Sequence, residues 1–262
     1  MNRGWRVPAT LLKTYYDYMV EYRAELILWV LSGSLPLIMM GVWDEAVRSG
    51  DFGLSTQAVV QYFLAVFLTR QLTVVWVIWE FEKEVVKGQL SFRLLQPLDP
   101  GWHHFYSHLA ERLARLPFIV LLLGLAIWLY PAAWVMPSLW RLLLFLVAIA
   151  AAFCLRFLIQ YTFAMLSFWI ERASALEQFW FLAYLFLSGM VAPLSVFPES
   201  MQAILLWTPF PYLIYFPVAI LLDLPVAIAP GFAILASWMG LFWVLNRWLW
   251  RRGLRHYSAM GA

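Results

Sequence analysis

Asp99, His103, His104, His108 and Glu111 crowd one short stretch of the chain, and they are the side chains best suited to hold a metal or relay protons. His104, His108 and Glu111 fall at i, i+4 and i+7, on one helical face. Three ligands with a fourth position open would suit a catalytic zinc. The rest of that chemistry is missing. The chain has 4 histidines, too few for a histidine-box oxidase. It has no H-E-x-x-H pair to set two imidazoles and a general base on one ion. No metal site is expected, and packing at an interface is the better account. Phosphate chemistry is missing too. A P-loop needs G-x-x-x-x-G-K-[ST], so that glycine amides and a lysine cradle the phosphates. The lysines are Lys13, Lys83 and Lys87, and none follows that pattern. The chain itself is expected to bind neither ATP nor magnesium.

A second group of candidates lies inside apolar runs. Arg70 and Arg156 would each cost about 2.5–3.5 kcal/mol at a bilayer centre and must face protein or water. One reading has them line a translocation path and attract anionic head groups. The other is structural: Arg70 bonds carbonyls of a neighbouring helix, and Arg156 snorkels or pairs with Glu171 or Glu177. Asp223 reads as a solvated loop residue.

What must position these residues is a membrane. The chain has 262 residues, 64% hydrophobic and 13% charged, where soluble domains run near a half and a quarter. Its 16 Trp and 12 Tyr suit membrane–water interfaces. The single Cys154 allows no intrachain disulfide and reads as a small packed hydrophobe. No nucleic-acid partner is expected. The expected fold is all-α and polytopic, a single transmembrane domain over residues 1–262. Six spans are expected, near Ala24–Val42, Ala58–Trp79, Leu116–Val135, Leu139–Trp169, Phe179–Val191 and Val226–Trp248. The fourth is too long for one crossing and the fifth is short. Residues 192–225 carry six prolines and read as short outer helices that dip into the bilayer and return. Residues 1–23 are no cleavable signal. Leu11, Tyr15, Tyr18 and Tyr22 recur at helical spacing, which predicts an amphipathic helix in the inner interface; a partly helical soluble tail is the alternative.

Basic residues set the orientation. With both termini cytoplasmic, Arg3, Arg6, Lys13, Arg23, Lys83, Lys87, Arg93, Arg112, Arg115, Arg172, Arg247, Arg251, Arg252 and Arg255 lie inside, and Arg48 and Arg141 outside. The positive-inside rule therefore predicts a multi-pass inner-membrane protein whose segment 80–115 is cytoplasmic.

That segment is amphipathic. On a helical wheel Phe81, Val85, Gly88, Phe92 and Leu95 share one face, and Val86, Leu90 and Leu94 share nearly the opposite one. Gly88 is placed to break it into two helices, and Pro97 and Pro100 end it. One apolar face can pack on the chain's own spans, here assigned to Phe81, Val85 and Phe92. The other, Val86, Leu90 and Leu94, needs a partner, unless the segment is only a connector lying on the membrane surface.

Lys87, Gly88 and Leu90, followed by Leu94, Leu95 and Pro97, resemble the first cytoplasmic loop of ABC-2 type permeases. Ser188, Gly189, Pro193, Leu194, Pro198, Pro209 and Phe210 resemble the region after that family's fifth span. Gln96 departs from the pattern, where a basic residue is common. The resemblance implies a six-span exporter subunit that dimerises, with itself or with a paralogue. It implies ABC ATPase subunits docked beneath, which hold ATP and magnesium. It also implies a coupling helix, here carried by Lys83, Glu84, Val86, Lys87, Gly88, Leu90 and Leu94. The outer gate would involve Gly189, Pro193, Pro198 and Pro209. The substrate would be an amphiphilic, drug-like or lipid-linked molecule, moved through a path that contacts membrane lipid. A membrane assembly factor and an intramembrane metal enzyme are the alternatives.

Overall fold

The computed structural model describes residues 3–50, 53–131 and 134–260, and every regular element among them is helical. Residues 1–2, 261–262, 132–133 of the expected third span, and the side chain of Arg3 lie outside the described residues. Five stretches are long and apolar enough to cross a bilayer: Arg23–Ser49, Thr56–Val86, Pro100–Leu129, Leu139–Phe168 and Ile228–Tyr257. The expected fifth span corresponds to a shorter apolar helix, Ser174–Leu187. Its 14 residues reach about 21 Å at a rise of 1.5 Å each, short of a hydrocarbon core about 30 Å thick.

Helices are numbered along the chain. α1 (Arg3–Glu21) is separate from the first span, which is itself two helices, α2 (Arg23–Ser32) and α3 (Leu35–Ser49). Gly33 and Ser34 divide them, and Pro36 opens α3 where a missing N–H costs nothing. The second span is also divided, into α4 (Thr56–Thr73) and α5 (Val77–Val86). Around the break runs a β-branched series, Thr73, Val74, Val75, Val77 and Ile78, which lowers helix propensity locally. Val74 is extended, at φ −63° and ψ 139°.

After α6 (Leu90–Leu94), the third span is one helix, α7 (Pro100–Leu129). It starts much earlier than Leu116, because Asp99 caps it: its carboxylate accepts the Gly101 amide at 2.8 Å, with Pro100 at the first helical position. Residues 100–115, expected as cytoplasmic loop, are therefore the root of a span. α1 packs along α7, with the Tyr15 hydroxyl 3.0 Å from His103 Nδ1. The overlong fourth span is α8 (Leu139–Ala164), tightening into a 3-10 turn over Met165–Phe168. α9 (Ser174–Leu187) follows, and α13 (Ile228–Met260) closes the fold against α8.

Between α9 and α13 the chain forms a 3-10 turn (Leu194–Val196), α10 (Glu199–Leu205), α11 (Phe210–Leu213) and α12 (Tyr215–Leu221). Pro193, Pro198 and Pro209 each stand just before one of these short helices. Gly189 takes φ +90°, and a Cβ there would lie 2.7 Å from the Tyr62 hydroxyl, which donates to the Gly189 carbonyl. α12 is buried against α4 and α8. An ion pair of Arg141 with Asp223 joins the start of α8 to the turn after α12, so Asp223 is exposed but not merely solvated.

Side chains pack into two cores. The larger includes Phe63, Tyr184, Phe216 and Leu213; the other gathers Val75, Ile78, Phe81, Leu90, Phe157, Tyr161 and Phe168 around α5 and the end of α8. α13 meets the second core through Gly253, where a Cβ would lie 2.0 Å from Phe168 Cδ2. Gly253→Val should lower stability in detergent by about 1–3 kcal/mol through overpacking, read as a fall of several degrees in Tm. Gly240→Ala, with nothing within 4 Å of the new atom, should leave Tm unchanged or raised.

Candidate functional site

The break in the second span fixes the geometry of what surrounds it. α4 runs 18 residues from Thr56 to Thr73, or about 27 Å at a rise of 1.5 Å per residue. With Thr56 at one boundary, the break lies near the opposite edge of a core about 30 Å thick. Backbone that leaves the helix at that depth needs protein partners, because lipid offers none. α7 supplies them. Arg112 donates from Nε to the Leu72 carbonyl at 2.7 Å, and its two terminal nitrogens reach the carbonyls of Val74 and His108. The freed Trp76 amide donates to His108 Nε2 at 3.0 Å. His108 Nδ1 lies 2.8 Å from the His104 carbonyl. An amide donor on one ring nitrogen and a carbonyl acceptor on the other fix the neutral tautomer with its proton on Nδ1. Arg112 also lies over the Phe153 ring, 3.9 Å from its centroid. The break in the first span is held in the same way: Gln71 Nε2 donates to the Val30 carbonyl at 2.8 Å.

These bonds engage the side chains that a metal at this cluster would need as ligands. Both nitrogens of His108 are engaged with backbone, and Glu111 is ion-paired with Arg115. His104 lies between Glu84 (3.2 Å) and Glu80 (3.4 Å). No group of three or more His, Cys, Asp or Glu is placed to hold a metal among the described residues. Asp99, besides its cap, pairs with Arg247 of α13 at 2.7 Å.

The loop after α5 is anchored by the same cluster. Arg93 reaches Glu84 through Nη2 at 2.7 Å and Nε at 2.8 Å. Burial opposes the Arg93 charge, but hydrogen bonds with Glu84 and Tyr15 prevail and raise its pKa above the ordinary arginine value. Glu82 accepts the Ser174 amide at 2.6 Å, which caps α9 from α5. Gly88 does divide the segment, at φ +69°. This turn resets the helix phase, so the single wheel fails beyond it. Phe81 and Val85 are buried as expected, and Val86 and Leu94 are exposed. Leu90, expected to face outward, is fully buried in the second core; Phe92, expected to face inward, is 72% exposed. Leu95 is 84% exposed. Lys83, Lys87 and Gly88 are exposed beside this surface, while Glu84 is turned toward Arg93.

Arg70 and Arg156 come together. Both line a cavity of about 270 Å³ with Val74, Trp76, Gln160 and Glu177. The Arg156 guanidinium lies 4.3 Å from the Tyr184 ring centroid, and neither Glu171 nor Glu177 is its ion-pair partner among the described residues. Glu177 instead accepts from Gln160 Nε2 at 2.7 Å. The sequence reading named His108 and Arg112 but missed their role at the break in the second span. Arg112 was grouped with loop charges, although the β-branched run and a His–Arg pair at i, i+4 were both visible.

A helical chain with several bilayer-length helices and broken spans sealed by polar side chains is an integral membrane protein. Residues 48–261 match a family model described as ABC-2 family transporter protein. The chain belongs to that family, whose members are the membrane permease subunits of ABC transporters. A search of curated proteins gave no match.

Removing Arg112 strands buried carbonyls. Hydrogen bonds to a charged donor contribute about 1.5–3 kcal/mol each. Arg112→Met should therefore lower Tm by several degrees and reduce yield in detergent. Arg112→Lys should recover only part, since a point charge cannot span the fork. Leu113→Met, at an exposed neighbour, should change nothing.

Proposed function

We propose that this chain is the permease subunit of an ATP-driven exporter that moves an amphiphilic molecule outward across the inner membrane. It crosses six times, with α9 and the short outer helices together serving as the fifth crossing and its gate, around Gly189, Pro193, Pro198 and Pro209. Both termini and the loop between the second and third spans face the cytoplasm. The permease works as a dimer of itself or with a paralogue, and separate ATPase subunits bind ATP and magnesium.

The observation that carries this reading is the loop surface. Val86, Phe92, Leu94 and Leu95 expose apolar side chains on a segment that is otherwise anchored by ion pairs and a buried Leu90. Exposed apolar groups on a firmly held cytoplasmic loop suit a protein partner. Membership of a family of ABC permeases supports an ATPase as that partner. Lys83 and Lys87 flank the surface and would meet carboxylates at its rim. The coupling surface is thus assigned to Lys83, Val86, Lys87, Phe92, Leu94 and Leu95, with Leu90 and Gly88 shaping it from within.

The permease purified alone should hydrolyse no ATP, and turnover should appear only when its ATPase is added. Phe92→Asp and Leu95→Asp should each abolish co-purification of the ATPase and transport in proteoliposomes, while Tm stays within a degree or two of the parent. Leu90→Asp should instead collapse the permease, because an unpaired charge would enter a closed core. Normal ATPase recovery with both Phe92→Asp and Leu95→Asp would overturn this surface. In a Cys154→Ser background, a cysteine at exposed Ser91 should react only with reagents admitted to the cytoplasm.

A further inference from the structure

The cavity beside the break holds more unused polar chemistry than any other part of the described protein. Arg156, Gln160 and Glu177 line it and are 5%, 1% and 3% exposed. Arg156 Nη1, Gln160 Oε1 and Glu177 Oε2 are all buried without a hydrogen-bond partner among the described residues. The orientation of the Gln160 amide is not arbitrary: its nitrogen must face the Glu177 carboxylate to make the bond at 2.7 Å, which leaves Oε1 as the free atom. An unsatisfied buried group costs about 1–3 kcal/mol, more when charged, so three in one cavity call for a ligand that answers all of them. Arg70 adds a second guanidinium to the same lining.

The free atoms specify that ligand. Arg156 Nη1 needs an acceptor, and the Arg70 guanidinium in the same lining favours an anionic one. Gln160 Oε1 and Glu177 Oε2 need donors close beside it. The cavity, about 270 Å³, is at the small end of ligand sites, about 300–1,000 Å³, so it holds a head group and not a whole lipid. Trp79 and Phe181 line it as well and are 41% and 37% exposed, an aromatic rim past which a tail can leave. Val74 and Trp76, at the break, bring the cavity to the inner edge of the hydrocarbon, where the head groups of the inner leaflet lie.

We infer that this cavity binds, from the inner leaflet, the head of an amphiphile that carries a phosphate together with hydrogen-bond-donating hydroxyls. The phosphate sits between Arg70 and Arg156, the hydroxyls face Gln160 and Glu177, and the tail stays outside. Under the export reading this is where cargo loads. The binding itself needs no ATPase, so it is measured on the permease alone and stands or falls separately.

The test is titration of the purified permease in a neutral detergent, followed by intrinsic tryptophan fluorescence and by Tm. Four short probes are compared: dihexanoyl phosphatidylglycerol (phosphate, hydroxyls and tail), dihexanoyl phosphatidylcholine (phosphate and tail, no donors), octyl glucoside (hydroxyls and tail, no phosphate) and glycerol 3-phosphate (head without tail). Phosphatidylglycerol should bind saturably, at least tenfold tighter than each of the others. Arg156→Gln and Arg70→Gln should each weaken it tenfold or more, with the parent Tm retained in its absence. Equal binding of phosphatidylcholine would overturn the donor requirement, and equal binding of glycerol 3-phosphate would make this a site for soluble anions. Should Arg156→Gln fail to fold, the ranking of probes on the parent protein decides alone. Unchanged affinity in both folded variants, or no saturable binding of phosphatidylglycerol, refutes the inference.

Discussion

The fold rests on one constraint: two spans are broken within apolar stretches long enough to cross a bilayer, where freed backbone groups find few partners. In hydrocarbon, each carbonyl or amide left out of a helix needs a partner from the protein. Gln71 answers the first break at Val30. Arg112 and His108 answer the second at Leu72, Val74 and Trp76. These are short, charged or aromatic-shielded contacts, and they commit two residues of α7 to a fixed position against α4 and α5. Much around the break follows from that commitment, including the wall of the arginine-lined cavity and the direction in which α5 enters the loop before α7.

The same logic explains how a chain so poor in charge uses its few ionisable groups. Glu84 holds Arg93 and His104; Asp99 caps α7 and holds Arg247; Glu82 caps α9. Each carboxylate joins separate elements, and most of these contacts gather near one end of the bundle. They build a polar layer beneath the apolar bundle. Within the bundle, by contrast, packing is aromatic and aliphatic, and glycines such as Gly189 and Gly253 let a tyrosine or a phenylalanine approach the backbone.

Much of this was legible from residue type alone. Composition and apolar runs gave the helical membrane class, and the prolines at 193, 198 and 209 announced the short helices between α9 and α13. Gly88 announced the division of the loop. The first three lie in local chemistry, which sequence carries directly. What failed was phase and partnership. The helical wheel put Leu90 outside and Phe92 inside, because it assumed one continuous helix across Gly88, whose positive φ turns the second helix to a new face. Leu116 was taken as the start of the third span because residues 100–115 carry histidines and arginines. Those polar residues are instead spent on α4, α5 and α1, so the helix reaches back to Asp99. Whether Arg112 faces water or a stranded carbonyl depends on a neighbouring helix, and no pattern within one helix records it. The cavity arginines were visible as misplaced charges, but their meeting with Gln160 and Glu177 is a tertiary fact.

α7 has a property that goes beyond support. It carries the Asp99 cap at the root of the loop, His104 against Glu84, and His108 and Arg112 at the break, all on the helical turns that precede Pro117. Those turns have no internal break that could absorb a twist between the loop and Arg112. A small rotation of α7 about its axis must therefore displace the loop's anchor and the wall of the cavity in the same stroke. The two ends of the site are geared together, as fixed teeth on one shaft, and neither can be reset while the other stands still.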